Sequence, residues 1–184
     1  MAKLLDATIT CLIEHGYRDT STARICRRAG VSQGGLFRHF PTRTALIAAA
    51  TDEIVRRHEV GLRALIELPG PISDRMDGVV TYIREAARSP LTGAWREVLV
   101  AARTNAELRE AVVPAVQHFE DVVLDVAAII QGAPADSHAF GTLLLSVMHM
   151  FDSEATTVPI LGSPAIEATR HAWAVQLLSA AVRG

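Results

Sequence analysis

Apolar residues recur every three to four positions along almost the whole chain, and no stretch alternates long enough to mark a strand. The pattern predicts about nine helices. Leu5, Ile9, Leu12 and Ile13 set the stripe of a first helix over residues 1–15, which Gly16 ends. A second, capped by Thr20 or Ser21, runs to about Arg28 with Ile25 and Cys26 inward. A third covers 33–40, anchored by Leu36 and Phe40. A fourth, capped by Thr42, carries Leu46, Ile54, Leu62 and Leu65 to about Leu68. Pro69-Gly-Pro71 then breaks the pattern. Ser73 can cap a fifth helix over 74–88, and Pro90 opens a sixth that ends near Arg103. Asn105 can cap a seventh running to Gln131, in which Pro114 either kinks the helix or marks a restart. Gly132-Ala-Pro134 reads as a loop. The eighth helix, 136–156, is apolar almost all round, which requires burial on two sides. Ser163-Pro164 starts a ninth, with Ile166, Trp173, Leu177 and Leu178 along it.

The punctuation is densest in the stretch AGVSQGGLFRHFP at residues 29–41. Gly30 can supply the left-handed conformation that ends one helix. Ser32 can accept from the orphan N–H groups of the next. Pro41 closes that helix, because the residue before proline avoids helical backbone. Two helices joined by a tight turn, the second about two turns long, have the shape of a helix-turn-helix whose second helix can enter a DNA major groove.

Charge reinforces this. The chain has 184 residues and a net charge of −2. Residues 1–47 nevertheless hold Lys3, Arg18, Arg24, Arg27, Arg28, Arg38 and Arg43 against Asp6, Glu14 and Asp19, a net of +4, which leaves −6 for residues 48–184. A basic head on an acidic body suits a polyanion partner. The two cysteines, Cys11 and Cys26, lie in apolar helical patterns without metal-type spacing and read as reduced core residues. No signal peptide pattern and no apolar run long enough to span a bilayer is evident, so a cytoplasmic location and no membrane partner are expected.

The residues Asp6-Ala7, Gly16-Tyr17, Thr20-Ser21, Ile25, AGVS at 29–32, Gly34, Leu36, RHFP at 38–41 and Ala45-Leu46 resemble the N-terminal domain of the TetR family of bacterial transcriptional regulators. The resemblance covers about the first 47 residues. It implies an all-α homodimer, with a three-helix DNA-binding domain at 1–47 and a ligand-binding and dimerising domain at 48–184. The partner copy is expected to pack on residues 136–156 and 163–183. Within this frame Gln33 can read adenine bidentately. Gly34 and Gly35 either let backbone approach DNA or are tolerated near a helix end. Position 35 is often Thr and position 37 often Tyr in similar proteins. Phe37 therefore offers only apolar contact, to a thymine methyl, or packing. Arg38 suits a phosphate or guanine. His39 matches a phosphate-contacting position, with capping against the next helix as the alternative. Thr42 and Arg43 suit a phosphate at a helix start, and Thr22 and Arg24 suit the backbone. Arg27 and Arg28 read as a solvated face. No basic extension precedes Lys3, so no minor-groove arm is expected.

In the body, Tyr82, Trp95, His118, Phe119, Met148, His149 and Asp152 lie on helices that face inward in similar proteins, beside Phe151 and Glu154. A mostly apolar pocket with a few polar groups suits a small-molecule effector, and plain core packing is the alternative. His149 and Asp152, three apart within an apolar helix, need partners if buried. A ligand, a structural bond or a metal would each serve. No nucleophile–base pair, cofactor motif or phosphate loop is visible, so neither an enzyme nor a bound cofactor is expected. The expected function is a sequence-specific DNA-binding regulator, a repressor released from a palindromic operator by a small molecule. The rival is a helical small-molecule binder or enzyme that leaves its head unused, and activation uses the same contacts as repression.

Overall fold

The computed structural model describes residues 1–67, 69–131 and 138–183. Among them lie nine α-helices: α1 (Ala2–Asp19), α2 (Thr22–Ala29), α3 (Gln33–His39), α4 (Arg43–Glu67), α5 (Met76–Arg88), α6 (Pro90–Ala102), α7 (Ala106–Gln131), α8 (His138–Thr157) and α9 (Pro164–Arg183). A 3-10 turn at Ile72–Arg75 precedes α5. The chain is all-α, as the periodicity predicts. The expected end of the fourth helix at Leu68, the loop at Gly132–Pro134 and the start of the eighth helix at Asp136 fall outside the described residues, and so does the side chain of Ser73.

The chain divides into two compact units. The first comprises residues 1–58 and 90–118, so it is wider than the 1–47 head and takes in α6 and the start of α7. It has two apolar clusters. In one, Leu4, Ala7 and Cys11 of α1 meet Ile25 and Cys26 of α2, Leu36 and Phe40 around α3, and Leu46 of α4. This cluster fixes the helix-turn-helix on α1. In the other, Ile9 and Leu12 of α1 meet Ile47 and Ile54 of α4, Val98 of α6 and Leu108 and Val112 of α7. Helix α1 thus has two apolar faces. Both cysteines are buried and free, and burial pushes both thiols up, with Arg28 opposing it at Cys11.

The second unit comprises 59–89 and 119–184. Its core joins Val79, Val80 and Ile83 of α5, Val122, Val123 and Val126 of α7, Phe140, Leu144, Val147 and Phe151 of α8, and Ala174 and Leu178 of α9. Helices α4 and α7 each contribute residues to both units.

Several details refine the sequence reading. The first helical stretch ends at Gly16, as the sequence reading has it: the backbone breaks there, at φ 69° and ψ 176°, and a further helical turn within α1 reaches Asp19. Of the two alternatives at Pro114, a kink or a restart, the restart does not occur: α7 is continuous through it. Pro114 and Glu110 are both exposed, so the carbonyl that loses its helical partner can bond to water. Helix α8 is not apolar all round. Thr142, Ser146, His149, Ser153 and Thr156 form an exposed polar stripe at helical spacing. Trp173 and Leu177, expected with Leu178 along the ninth helix, are 58% and 52% exposed, while Leu178 is buried.

Candidate nucleic-acid interface

The helix-turn-helix is built by caps. The Ser21 hydroxyl accepts from Arg24 N–H at 3.3 Å and starts α2. Gly30 ends it at φ 67° and ψ 33°, a conformation that glycine adopts without a Cβ penalty. Val31 N–H donates to Cys26 carbonyl at 3.1 Å. Ser32 Oγ accepts from Gly35 N–H at 3.0 Å and starts α3. Phe40 stops α3 in extended backbone ahead of Pro41. Thr42 Oγ1 accepts from Ala45 N–H at 3.0 Å and caps α4. Each cap is readable in the sequence as a small polar residue or glycine at the right offset.

Helix α3 divides cleanly. Leu36 and Phe40 are buried and anchor it, whereas Gln33, Gly34, Phe37, Arg38 and His39 are exposed. Gly35 is half-buried. A Cβ at Gly35 would come to 3.3 Å from Ser32 Oγ, close enough to crowd the cap. A Cβ at Gly34 would meet only the same atom, at 4.0 Å. Packing within the chain therefore accounts for Gly35 in part and leaves Gly34 unaccounted for. Thr22 and Arg24 lie half-buried on α2, and Thr42 is exposed.

Arg43 has an internal task that the sequence does not reveal. Its Nε donates to Thr20 carbonyl at 2.9 Å and its Nη2 to Tyr17 carbonyl. Its guanidinium lies 4.2 Å from the centre of the Tyr17 ring. Glu97 of α6 grips the same corner, where Oε2 accepts from Tyr17 N–H at 3.0 Å. At Gly16 a Cβ would lie 2.7 Å from that oxygen, so the positive φ favours glycine and a side chain there would also displace the Glu97 carboxylate from Tyr17 N–H. The α1–α2 corner is thus held from α4 and from α6. Glu97 is 80 residues from Tyr17, and nothing in its local sequence marks it.

The seven body residues are distributed between the units. Trp95 packs against the Ile9–Leu12 cluster of the first unit. His118, also in the first unit, is exposed, and its charge opposes the upward push of burial on Asp52. In the second unit Tyr82, Phe119 and Met148 are half-buried against the core. The Tyr82 hydroxyl occupies a notch at Gly61 of α4, where a Cβ would lie only 1.8 Å from it. Burial pushes that phenol up. Asp152 is half-buried, but His149 is exposed. The burial that made His149 need a partner is therefore not there.

The buried charge on α8 is Glu154, 1% exposed. Its Oε1 accepts from Arg84 Nε at 2.9 Å and Arg88 Nη2 at 2.8 Å, and Arg170 Nη1 lies 3.5 Å from Oε2. Glu167 bonds the same Arg84 and Arg88, at 2.9 and 2.7 Å. Burial would raise the Glu154 carboxyl, but Arg84 and Arg88 bring it below its ordinary value. In the sequence Glu154 is the second carboxylate of an apolar helix, two residues beyond Asp152 and three beyond Phe151. Among the described residues no three His, Cys, Asp or Glu side chains group as a metal site requires. No helix there is long and apolar enough to cross a membrane.

Known proteins share this architecture. The family described as bacterial regulatory proteins, tetR family, matches residues 4–50. An uncharacterised HTH-type transcriptional regulator of Mycobacterium tuberculosis is 32% identical over 184 residues, covering 98% of this chain and 93% of the relative. A transcriptional regulator from Rhodococcus superposes with a TM-score of 0.68 at 22% identity, covering 98% of this chain and 94% of the other. FadR of Bacillus subtilis, solved in complex with stearoyl-CoA, has a TM-score of 0.64 at 14% identity, over 97% of each chain. The two solved structures establish the fold.

Proposed function

We propose that this chain, which belongs to the TetR family of bacterial regulatory proteins and is a DNA-binding transcriptional regulator, is a repressor that reads a palindromic operator with α3. The observation that carries this is the division of α3 into a buried anchor, Leu36 with Phe40, and an exposed face of Gln33, Gly34, Phe37, Arg38 and His39. The Gln33 amide can read an adenine edge. Gly34, whose missing Cβ packing does not explain, lets backbone come close to the duplex. Phe37 offers an apolar surface, while Arg38, His39 and Thr42 take phosphate. Arg43 serves the interface by holding the α1–α2 corner.

A palindromic site needs two heads. The apolar face of α9, Ile166, Trp173 and Leu177, 52%, 58% and 52% exposed, supports a homodimer through α8 and α9. These residues lie at seven- and four-residue spacing, so they share one side of the helix. The small residues Thr142, Ser146, Ser153 and Thr156 of the polar stripe on α8, on either side of His149, leave room for a partner helix.

An effector would bind in the second unit, where Tyr82, Phe119 and Met148 combine apolar surface with one hydroxyl. FadR, a neighbour in fold, holds an acyl-CoA, which supports a small-molecule site in this architecture. Release of DNA requires the effector to favour one arrangement of α4 over another, since equal binding to both shifts nothing. Gel-shift competition between genomic fragments retained by the purified protein and scrambled duplexes tests the operator reading. Sequence preference that disappears in Gln33→Ala/Arg38→Ala is the expected result. Equal, weak affinity for every duplex would leave the head idle and favour a helical small-molecule binder.

A further inference from the structure

Gly61 and Tyr82 make a contact that stability alone does not explain. Gly61 stands inside α4, where glycine weakens a helix relative to alanine. Tyr82 of α5 lays its hydroxyl over that glycine. A Cβ at Gly61 would lie 1.8 Å from Tyr82 Oη, 3.1 Å from Cζ and 3.8 Å from Cε2. The hydroxyl is thus what demands glycine, since the ring carbons would need to give only slightly. Yet among the described residues that hydroxyl has no hydrogen-bond partner, although Tyr82 is half-buried. A phenylalanine over an alanine would fill the same space with a stronger helix and no unmade bond. Two local penalties that packing does not offset mark a contact kept for another purpose.

Two further facts indicate the purpose. Helix α4 is the helix that follows α3, and its Leu46, Ile47 and Ile54 are wholly buried in the cores of the first unit. The Gly61 notch grips the later part of this same unbroken helix. The grip is also easily undone. It is held by packing alone, and the hydroxyl gains a hydrogen bond when it leaves the notch for water or a ligand acceptor. That gain offsets the lost packing and brings the open position near the closed one in free energy.

We infer that Tyr82 is a latch on α4: with its hydroxyl in the Gly61 notch it holds α4 in the arrangement that binds the operator, and operator affinity falls when the hydroxyl leaves. The inference rests on the DNA-binding reading and supplies it with a switch. Tyr82 is a positioning residue, acting through α4 without touching the duplex. An apolar ligand that carries a hydrogen-bond acceptor, a carbonyl or a carboxylate, favours the open position, because only there does the hydroxyl donate to it.

The test uses the full-length protein, a genomic fragment that it retains and a scrambled duplex, at one salt concentration and well below the unfolding midpoint of each variant. Apparent affinity scales with the closed fraction. Gly61→Ala, which forces the hydroxyl out, is therefore expected to bind the genomic fragment roughly tenfold more weakly, within the usual range of coupling between distant sites. Gly61→Ala/Tyr82→Phe keeps the methyl and removes the oxygen it strikes, and is expected to recover most of the affinity. Tyr82→Phe alone leaves the ring over α4 and should bind as the original protein does. Gly141→Ala controls for overpacking as such. Its methyl would lie 2.4 Å from Leu124 Cδ2, in the same unit but between α8 and α7, so it should lower stability and leave operator affinity unchanged. If Gly61→Ala does not fold, Tyr82→Ala, which empties the notch, takes its place and is expected to show the same loss. Unchanged affinity in that variant, a double variant as weak as Gly61→Ala, or an equal loss in Gly141→Ala overturns the latch and leaves the α3 reading intact. If the unsubstituted protein does not prefer the genomic fragment to the scrambled duplex, the DNA-binding reading falls and the latch with it.

Discussion

Replacing Glu154 tests the energetics of the second unit most sharply. Its carboxylate has no exposed surface and accepts two short bonds from Arg84 and Arg88, with Arg170 at 3.5 Å. Breaking a buried ion pair by removing one partner typically costs about 3–5 kcal/mol, because the other charge is left unpaired. Two features place Glu154→Ala at the low end. Arg88 and Arg170 are each 37% exposed, so water can screen their ends. Glu167 also remains to hold Arg84 and Arg88. The expected cost is about 3 kcal/mol. Glu154→Gln keeps the volume and one acceptor but turns an amide N–H₂ toward an arginine, so it should cost about 2 kcal/mol. Urea unfolding at fixed protein concentration reads both, since a dimer's stability depends on concentration. The pH dependence follows from the depressed carboxyl. Stability from Glu154 is present above its unfolded pKa and is lost as pH falls through the lower folded value. The gap between the original protein and Glu154→Gln should therefore close in acid. A cost below about 1 kcal/mol for Glu154→Ala, or a gap that widens in acid, would refute the reasoning.

Three other outcomes follow from the packing. Gly61→Ala drives a methyl into the Tyr82 hydroxyl and should cost about 1–3 kcal/mol. Adding Tyr82→Phe, which removes the clashing oxygen, should recover most of that in a double-mutant cycle. Arg43→Ala should lower the thermal stability of the first unit and weaken DNA binding, and Arg43→Lys should not restore them, because an ammonium cannot reproduce the two carbonyl bonds and the stack on Tyr17. Differential scanning with gel shift reads both. Trp173→Asp places a charge on the exposed apolar face of α9 and should shift sedimentation from dimer to monomer while helical circular dichroism is kept.

The local architecture was legible wherever a single residue decides it. Ser21, Gly30, Ser32, Thr42 and Asn105 all mark helix ends that follow from side-chain or backbone chemistry within four residues. What the sequence could not convey is pairing at a distance. Glu97 on Tyr17, Arg28 on Glu14 and Arg84 on Glu154 join residues 80, 14 and 70 apart, and periodicity carries no information about which charged faces meet. For the same reason Arg43 reads as a phosphate ligand, when its guanidinium reaches back to two carbonyls. Helix α8 shows a third kind of gap. Its apolar count hides a polar stripe, because Thr142, Ser146 and Ser153 are small residues spread among Leu, Met and Phe. Apolar surface stays uncovered on α9 instead, at Trp173 and Leu177.

The central claim is that α3 gives this regulator its sequence preference. The most direct measurement is the affinity ratio between a retained genomic fragment and a scrambled duplex at one salt concentration, for the original protein and for Gln33→Ala. A ratio of about 10³ or more is expected for a specific site, falling by roughly tenfold or more when the Gln33 amide is removed, as expected for loss of a bidentate base contact. A ratio near one, or a ratio that Gln33→Ala leaves unchanged, would contradict it.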